Sequence, residues 1–235
     1  MDRVLVAGAS GGTGRQIMMR LKDTDLDVRA LTRSPRKEGK LRDLGADDVV
    51  KGDLLDDGDT ERAVQGVDAV LCAVGPSPMD ILLGRELVDG KGVINLVDAS
   101  TRGGVSKFVF ESAIGVGNSK KKLPLPFRLP IIRSLRAKKR AESTVRSSTL
   151  SHTVLRPGIL TNGEARKDTL VAEGGPTVFG FIRRADVARL MVASLFTHEA
   201  DNRTFEVVSG KRVWGETNGL VEVDWEHPDS SEGRS

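Results

Sequence analysis

The run Gly8-Ala9-Ser10-Gly11-Gly12-Thr13-Gly14 sets glycines three residues apart at positions 8, 11 and 14. It follows the strand-like Arg3–Ala7 and opens a segment of helical spacing, the setting in which such a turn binds phosphate. Gly8 permits a tight exit from the strand. Gly11 lets the backbone approach a pyrophosphate, and Gly14 permits close helix–strand packing. The helix N-terminus offers free N–H groups to the anion. Gly12, Ser10 and Thr13 complete the turn, and the two hydroxyls are expected to donate to phosphate. The plain alternative is an ordinary glycine-rich turn.

A site for NAD carries Asp or Glu at the end of the second strand to bind the ribose 2′-OH. Here that stretch reads Leu31-Thr32-Arg33-Ser34-Pro35-Arg36-Lys37, without a carboxylate. Arg33 offers a planar cation suited to a 2′-phosphate, with Arg36 or Lys37 in support. NADP(H) is therefore expected over NAD(H), a solvated basic loop being the alternative. Asp53, in Gly52-Asp53-Leu54, can accept from an adenine amino group with Leu54 against the ring, or cap the following turn. Ala73-Val74-Gly75 ends a fourth strand and is expected beside the cofactor ribose.

These residues need a scaffold of alternating strands and helices. Strands are expected at Arg3–Ala7, Asp27–Leu31, Asp47–Lys51, Ala69–Val74, Lys107–Glu111, from Thr153 to the Pro157-Gly158 stop, and at Thr204–Val208. Helices are expected at Thr13–Lys22, Glu38–Leu44, Asp59–Gln65, Val93–Arg102, Ile132–Ser147 and Asp186–Phe196. Near-continuous apolar strands alternating with helices imply an α/β fold with a doubly wound, Rossmann-type parallel sheet. One domain over 1–210 is expected, with a substrate-side segment at about 157–182. The C-terminal segment 211–235 is expected to end in disorder, with Trp214 and Trp225 pinning Leu220–Asp224 onto the domain.

The chain has 235 residues, with 36 Lys and Arg against 33 Asp and Glu, a formal charge of +3. That excess does not by itself imply a nucleic-acid protein. It is local: Asn118–Arg140 carries nine cations and no acid, while Glu216–Ser235 carries six acids and one Arg. The basic stretch has only Phe127 for stacking, so it reads as the border of a cleft for anionic ligands, and nucleic-acid binding is not expected. The single cysteine, Cys72, lies in an apolar strand and excludes an internal disulfide. His152, His198 and His227 lack ligand spacing, so no metal site is expected. No apolar run is long enough to cross a membrane, and no signal peptide is read at the start, so a cytoplasmic protein is expected. A monomer and a homodimer are both compatible with the sequence. Tyrosine is absent, which removes any mechanism that needs a phenol.

The glycine turn, Thr32-Arg33, Gly52-Asp53-Leu54, Val67-Asp68-Ala69-Val70, Leu155-Arg156-Pro157-Gly158 and Arg184-Ala185-Asp186-Val187-Ala188 form an ordered set. With it the chain resembles the atypical short-chain dehydrogenase/reductases. The resemblance is to their NmrA-like and flavin (biliverdin-IXβ) reductase-like NAD(P)H-binding members. The resemblance implies a Ser after the fifth strand, matched by Ser112, and a Tyr-x-x-x-Lys pair on the next helix. Lys138 matches the Lys, where it would bind the nicotinamide-ribose hydroxyls, but Ser134 stands in place of the Tyr. A serine hydroxyl is a far weaker acid than a phenol and reaches less far. Pro157 and Gly158 match the segment that touches the nicotinamide. Arg184 and Asp186 read as structural, Asp186 as a helix N-cap.

Two functions follow. The first is an oxidoreductase moving hydride from NADPH to a conjugated small-molecule acceptor, a flavin, quinone or enone, without a catalytic Tyr. Ser112 and Lys138 are its candidate catalytic residues. The second is a non-catalytic NADP(H)-binding sensor or assembly protein. A sugar epimerase is the weaker third, because that chemistry normally relies on the absent tyrosine.

Overall fold

The computed structural model describes residues 1–76, 79–80, 83, 85–121, 131–175, 178–214, 217 and 219–228. Its centre is β1 (Arg3–Ala7), buried on both faces. Successive side chains of a strand point to opposite faces. Val4 and Val6 therefore enter one core cluster, and Leu5 and Ala7 enter the other. α1 (Gly12–Leu21) supplies Ile17, Met18 and Leu21 to the first layer.

β2 (Asp27–Thr32) lies beside β1, and β3 (Asp48–Lys51) beside β2. α2 (Glu38–Asp43) and α3 (Asp57–Val64) make the connections. α3 starts two residues earlier than expected, because Asp56 caps it and accepts from Asp59 N at 2.8 Å. The chain then returns across β1 to β4 (Ala69–Cys72), and β5 (Lys107–Glu111) follows after α4 (Val93–Arg102). A π-helical turn, Val88–Gly92, leads into α4. α5 (Ile132–Ser147) crosses to β6 (Ser151–Pro157), which pairs with β5. α3, α4 and α5 cover the second face through Ala63, Val97 and Ala141. The reversal of direction between β1 and β4 opens a crevice at the strands' C-terminal ends, where doubly wound sheets bind ligands.

The region beyond β6 departs from expectation. The stretch from Ile159 holds three short strands, β7 (Ile159–Thr161), β8 (Thr169–Glu173) and β9 (Phe179–Arg183), whose mixed burial leaves no regular alternation. α6 (Arg184–Ala193) then packs on the α1 side. β10 (Arg203–Ser209) pairs parallel with β6 but is not the edge of the sheet, because β8 adds antiparallel outside it. The order is β3-β2-β1-β4-β5-β6-β10-β8, with a second sheet of β7, β9 and β11 (Val213–Trp214).

Along the C-terminal segment, Val221 N donates to Val171 O at 3.0 Å, and Trp225 meets the Phe205 ring edge-on at 5.7 Å. Residues 229–235, where disorder was expected, and 122–130, most of the proline-rich basic stretch, lie outside the described residues. No helix among the described residues is long and apolar enough to cross a membrane. Cys72 is buried in the core, and burial pushes its thiol up to about 12. His152 is buried with Nδ1 on Leu150 O, and its pKa falls below the usual histidine value, chiefly through burial.

Phe205 is fully buried at the junction of β10, α6 and the C-terminal segment. Phe205→Ala is expected to cost about 3–5 kcal/mol of stability, read from the urea midpoint. Trp214→Ala, at a half-exposed ring, should cost much less.

Candidate active site

Gly8, at φ +86°, turns the chain out of β1 directly beneath β4, and a Cβ there would stand 2.5 Å from the Ala73 carbonyl. Gly14 comes closer still: its missing Cβ would strike the Gly8 carbonyl. Only glycine fits either place. α1 begins with Gly11 as its N-cap, with no side chain capping it and no acid in the first turn. Its first N–H groups are therefore available to an anion.

The cleft above this turn is lined by Gly8, Ser10, Gly11, Arg33, Asp53, Leu54, Ala73, Val74 and Gly75, all expected from the sequence. Leu31, Thr32, Gly52 and Val88 complete it. Val88 was not expected, because its place depends on the π turn. Leu54 is held by Asn95, whose Nδ2 donates to the Leu54 carbonyl at 3.0 Å. Asp53 Oδ1 accepts from Leu55 N at 3.1 Å, while Oδ2 lies 4.0 Å from Arg33 Nη1. Arg33 is more than half exposed, and Lys37 Nζ donates to Ser10 Oγ at 3.2 Å. Two cations thus stand beside Asp53 and Ser10 at the cleft. The cradle that a Cβ would fill and the uncapped helix fit a dinucleotide phosphate.

Several expected residues are engaged elsewhere. Thr13 is buried, and its hydroxyl donates to Glu111 Oε1 at 2.9 Å, so its proton does not serve a phosphate. Gly12 sits under Arg184, whose Nη1 donates to Asn162 Oδ1 at 2.9 Å. Gly158 donates its N–H to Val207 O and lies so close to the Gly180 carbonyl that a Cβ would collide. Pro157 is buried at the end of β6. Asp186 is not an N-cap; it lies inside α6 and accepts from the backbone N–H groups of Arg166 and Lys167.

Ser112 donates to Glu142 Oε1 at 2.5 Å. Glu142 is fully buried and takes a two-pronged pair from Arg156, Nε to Oε1 at 2.9 Å and Nη2 to Oε2 at 2.7 Å. Arg156 also reaches Glu206 at 3.2 Å. Burial alone would raise the Glu142 carboxyl, but the Arg156 bonds and charge, with Ser112 and Arg146, hold it below the usual glutamate value. Ser112 therefore offers this site only its lone pairs.

Lys138 Nζ donates to the Glu111 carbonyl at 2.8 Å and lies 5.2 Å from the centre of the Phe110 ring. Its ammonium retains two further N–H donors. Glu111 is buried, and burial raises its carboxyl, partly offset by Lys138, Thr13 and Arg184. Four residues before Lys138, Ser134 is hydrogen-bonded to Asp89. Sequence reasoning missed Asp89, because an acid ahead of a helix reads as a cap and nothing local marks a partner 45 residues away.

A family model described as NAD(P)H-binding matches residues 8–198. A chloroplast protein of Arabidopsis thaliana is 33% identical over 219 residues, covering 88% of this chain and 76% of its own. Sanguinarine reductase of Eschscholzia californica is 28% identical over 251 residues, 91% of each chain. A solved structure described as a putative NAD-dependent epimerase/dehydratase from Bacillus halodurans superposes with a TM-score of 0.77 at 28% identity. That match covers 89% of this chain and 95% of the other.

Glu142→Ala leaves Arg156 buried with only part of its counter-charge and should cost about 3–5 kcal/mol at pH 7. Because the folded pKa of Glu142 is depressed, its contribution is present above the unfolded value, about 4.3, and is lost as pH falls through the folded value. The gap between wild type and variant in urea denaturation should therefore narrow in acid.

Proposed function

The chain belongs to the NAD(P)H-binding family, and from that premise we propose that it is an NADPH-dependent reductase of a conjugated small-molecule acceptor. The observation that carries this reading is the cleft at the β1–β4 reversal. There an uncapped helix N-terminus opens from a glycine turn; Arg33 lines the cleft, Lys37 bonds to Ser10 and no acid ends β2, which supports a 2′-phosphate as the ligand group. A relative whose name makes it a reductase, at 28% identity over nearly the whole length, supports the reaction class.

When bound, the reduced nicotinamide supplies the hydride. This chain's residues bind and orient. The α1 N–H groups and Ser10 hold the pyrophosphate, Arg33 and Lys37 the 2′-phosphate, and Asp53 and Leu54 the adenine. The two remaining Lys138 donors hold the nicotinamide-ribose hydroxyls. Ser112, its own proton given to Glu142, accepts from a hydroxyl. Pro157 and Gly158 set the floor beside the nicotinamide, and orientation in a dry cleft supplies the rate advantage. A flat conjugated acceptor suits a site without a phenol.

Fluorescence titration with NADPH and NADH tests the reading. Wild type should prefer NADPH, and Arg33→Ala should weaken NADPH about tenfold or more, a loss of about 1.4 kcal/mol, while leaving NADH nearly unchanged. Equal weakening of both would remove the 2′-phosphate role. Tight binding without NADPH oxidation across flavins, quinones and enones would turn the reading to the redox sensor.

A further inference from the structure

Arg189 lies on α6, in the layer opposite α5, with only 9% of its surface exposed. Arginines are almost never buried this far without a paired carboxylate. Among the described residues none pairs with this one. Its Nη2 donates to Thr169 Oγ1 at 3.0 Å, and its Nη1 donates to His227 Nε2 at 3.4 Å. The enclosed Nε–H has no acceptor. A guanidinium only donates, so its five N–H bonds find two neutral acceptors here. Asp186, one turn earlier, adds negative charge nearby, but its oxygens are taken by the backbone N–H groups of Arg166 and Lys167. Arg20, on α1, adds positive charge. A buried cation left this short of counter-charge is costly.

Arg189 also borders a cavity of about 750 Å³. One wall is β8, through Thr169, Leu170 and Val171, and another is the stretch 220–225. Val221 N donates to Val171 O, which holds that stretch along β8. Its side chains alternate. Val221, Val223 and Trp225 pack against the core, while Glu222 and Asp224, which also border the cavity, are exposed. Lys167 is an exposed second cation at the cavity, with its backbone at φ +58° and its N–H on Asp186. The cavity and the nucleotide cleft share no lining residue.

We propose that this cavity is a second ligand site, which takes a small organic carboxylate with an apolar body. The carboxylate meets the Arg189 guanidinium, whose planar fork matches it and whose unpaired charge it answers. The apolar body lies along Leu170, Val221, Val223 and Trp225. The volume falls within the range of small-molecule pockets, about 300–1,000 Å³. An inorganic anion would leave the apolar walls uncovered. A neutral amphiphile would leave the guanidinium unpaired. The site stands whether or not the chain is a reductase.

Trp225 borders the cavity and reports on it; in a Trp214→Phe background it is the one tryptophan left. The probes are decanoate, 1-decanol and inorganic phosphate. Decanoate should shift the Trp225 emission saturably and raise the thermal midpoint, because a ligand of the folded state stabilises it. Decanol and phosphate at the same concentration should do neither. Arg189→Met, which keeps the length and removes the charge, should weaken decanoate about tenfold or more. Val223→Phe, which narrows the cavity and keeps Arg189, should also weaken it, and decides if Arg189→Met does not fold. NADPH affinity, followed by nicotinamide fluorescence, should not change with decanoate. An equal response to decanol, no saturable response in the parent protein, or undiminished decanoate affinity in either variant overturns the proposal. Displacement of NADPH by decanoate overturns it too, since the carboxylate would then sit in the nucleotide cleft.

Discussion

The arrangement around Lys138 depends on a charge being kept inside the protein. A lysine with 8% exposure needs partners for its ammonium, and it takes them from two elements: from β5 the Glu111 carbonyl and carboxyl and the Phe110 ring, and from the π turn the Asp89 carboxyl. That requirement ties α5 to the end of β5 and to the π turn before α4. Thr13 extends the tie to the glycine turn, since its hydroxyl goes to the same Glu111. The glycine turn and the C-terminal end of β5 are therefore one electrostatic unit. Beside it runs a second buried system, Arg156 between Glu142 and Glu206, with Ser112 donating to Glu142. A buried pair of this kind contributes specificity of position more dependably than net stability. Here it fixes the Ser112 hydroxyl.

Much of the cleft was legible in the sequence because its determinants are local. A glycine at positive φ, a helix opening without a cap, and a strand ending in Arg33 rather than an acid each declare themselves within a few residues. The parallel sheet was equally legible, because β1 and β4 are buried on both faces and leave unbroken apolar runs. Local pattern failed where a side chain's role is set across the fold. Thr13 reads as a phosphate donor until Glu111, 98 residues away, is seen to claim it. Asp186 reads as a cap until the loop at Arg166 and Lys167 is seen to fold onto it. β7, β8 and β9 were missed because strands of three to five residues, with mixed burial, leave no period to detect.

The tyrosine-less site is the clearest case of one scaffold separating binding from chemistry. The cleft is built from backbone N–H groups, glycines and a surface cation, none of which depends on what stands at position 134. Replacing a phenol there by a serine removes an acid and a rigid ring together, but the helix still presents a hydroxyl one turn from Lys138. A phenol beside a cation can be acid enough itself; an aliphatic hydroxyl cannot, and transmits a proton only when coupled to a stronger acid. The π turn carries Asp89 beneath α5, fully buried and hydrogen-bonded to Ser134. Fold alone does not decide function. In this chain the scaffold brings together long-range pairs of side chains, Thr13 with Glu111 and Ser134 with Asp89, that the glycine signature does not announce.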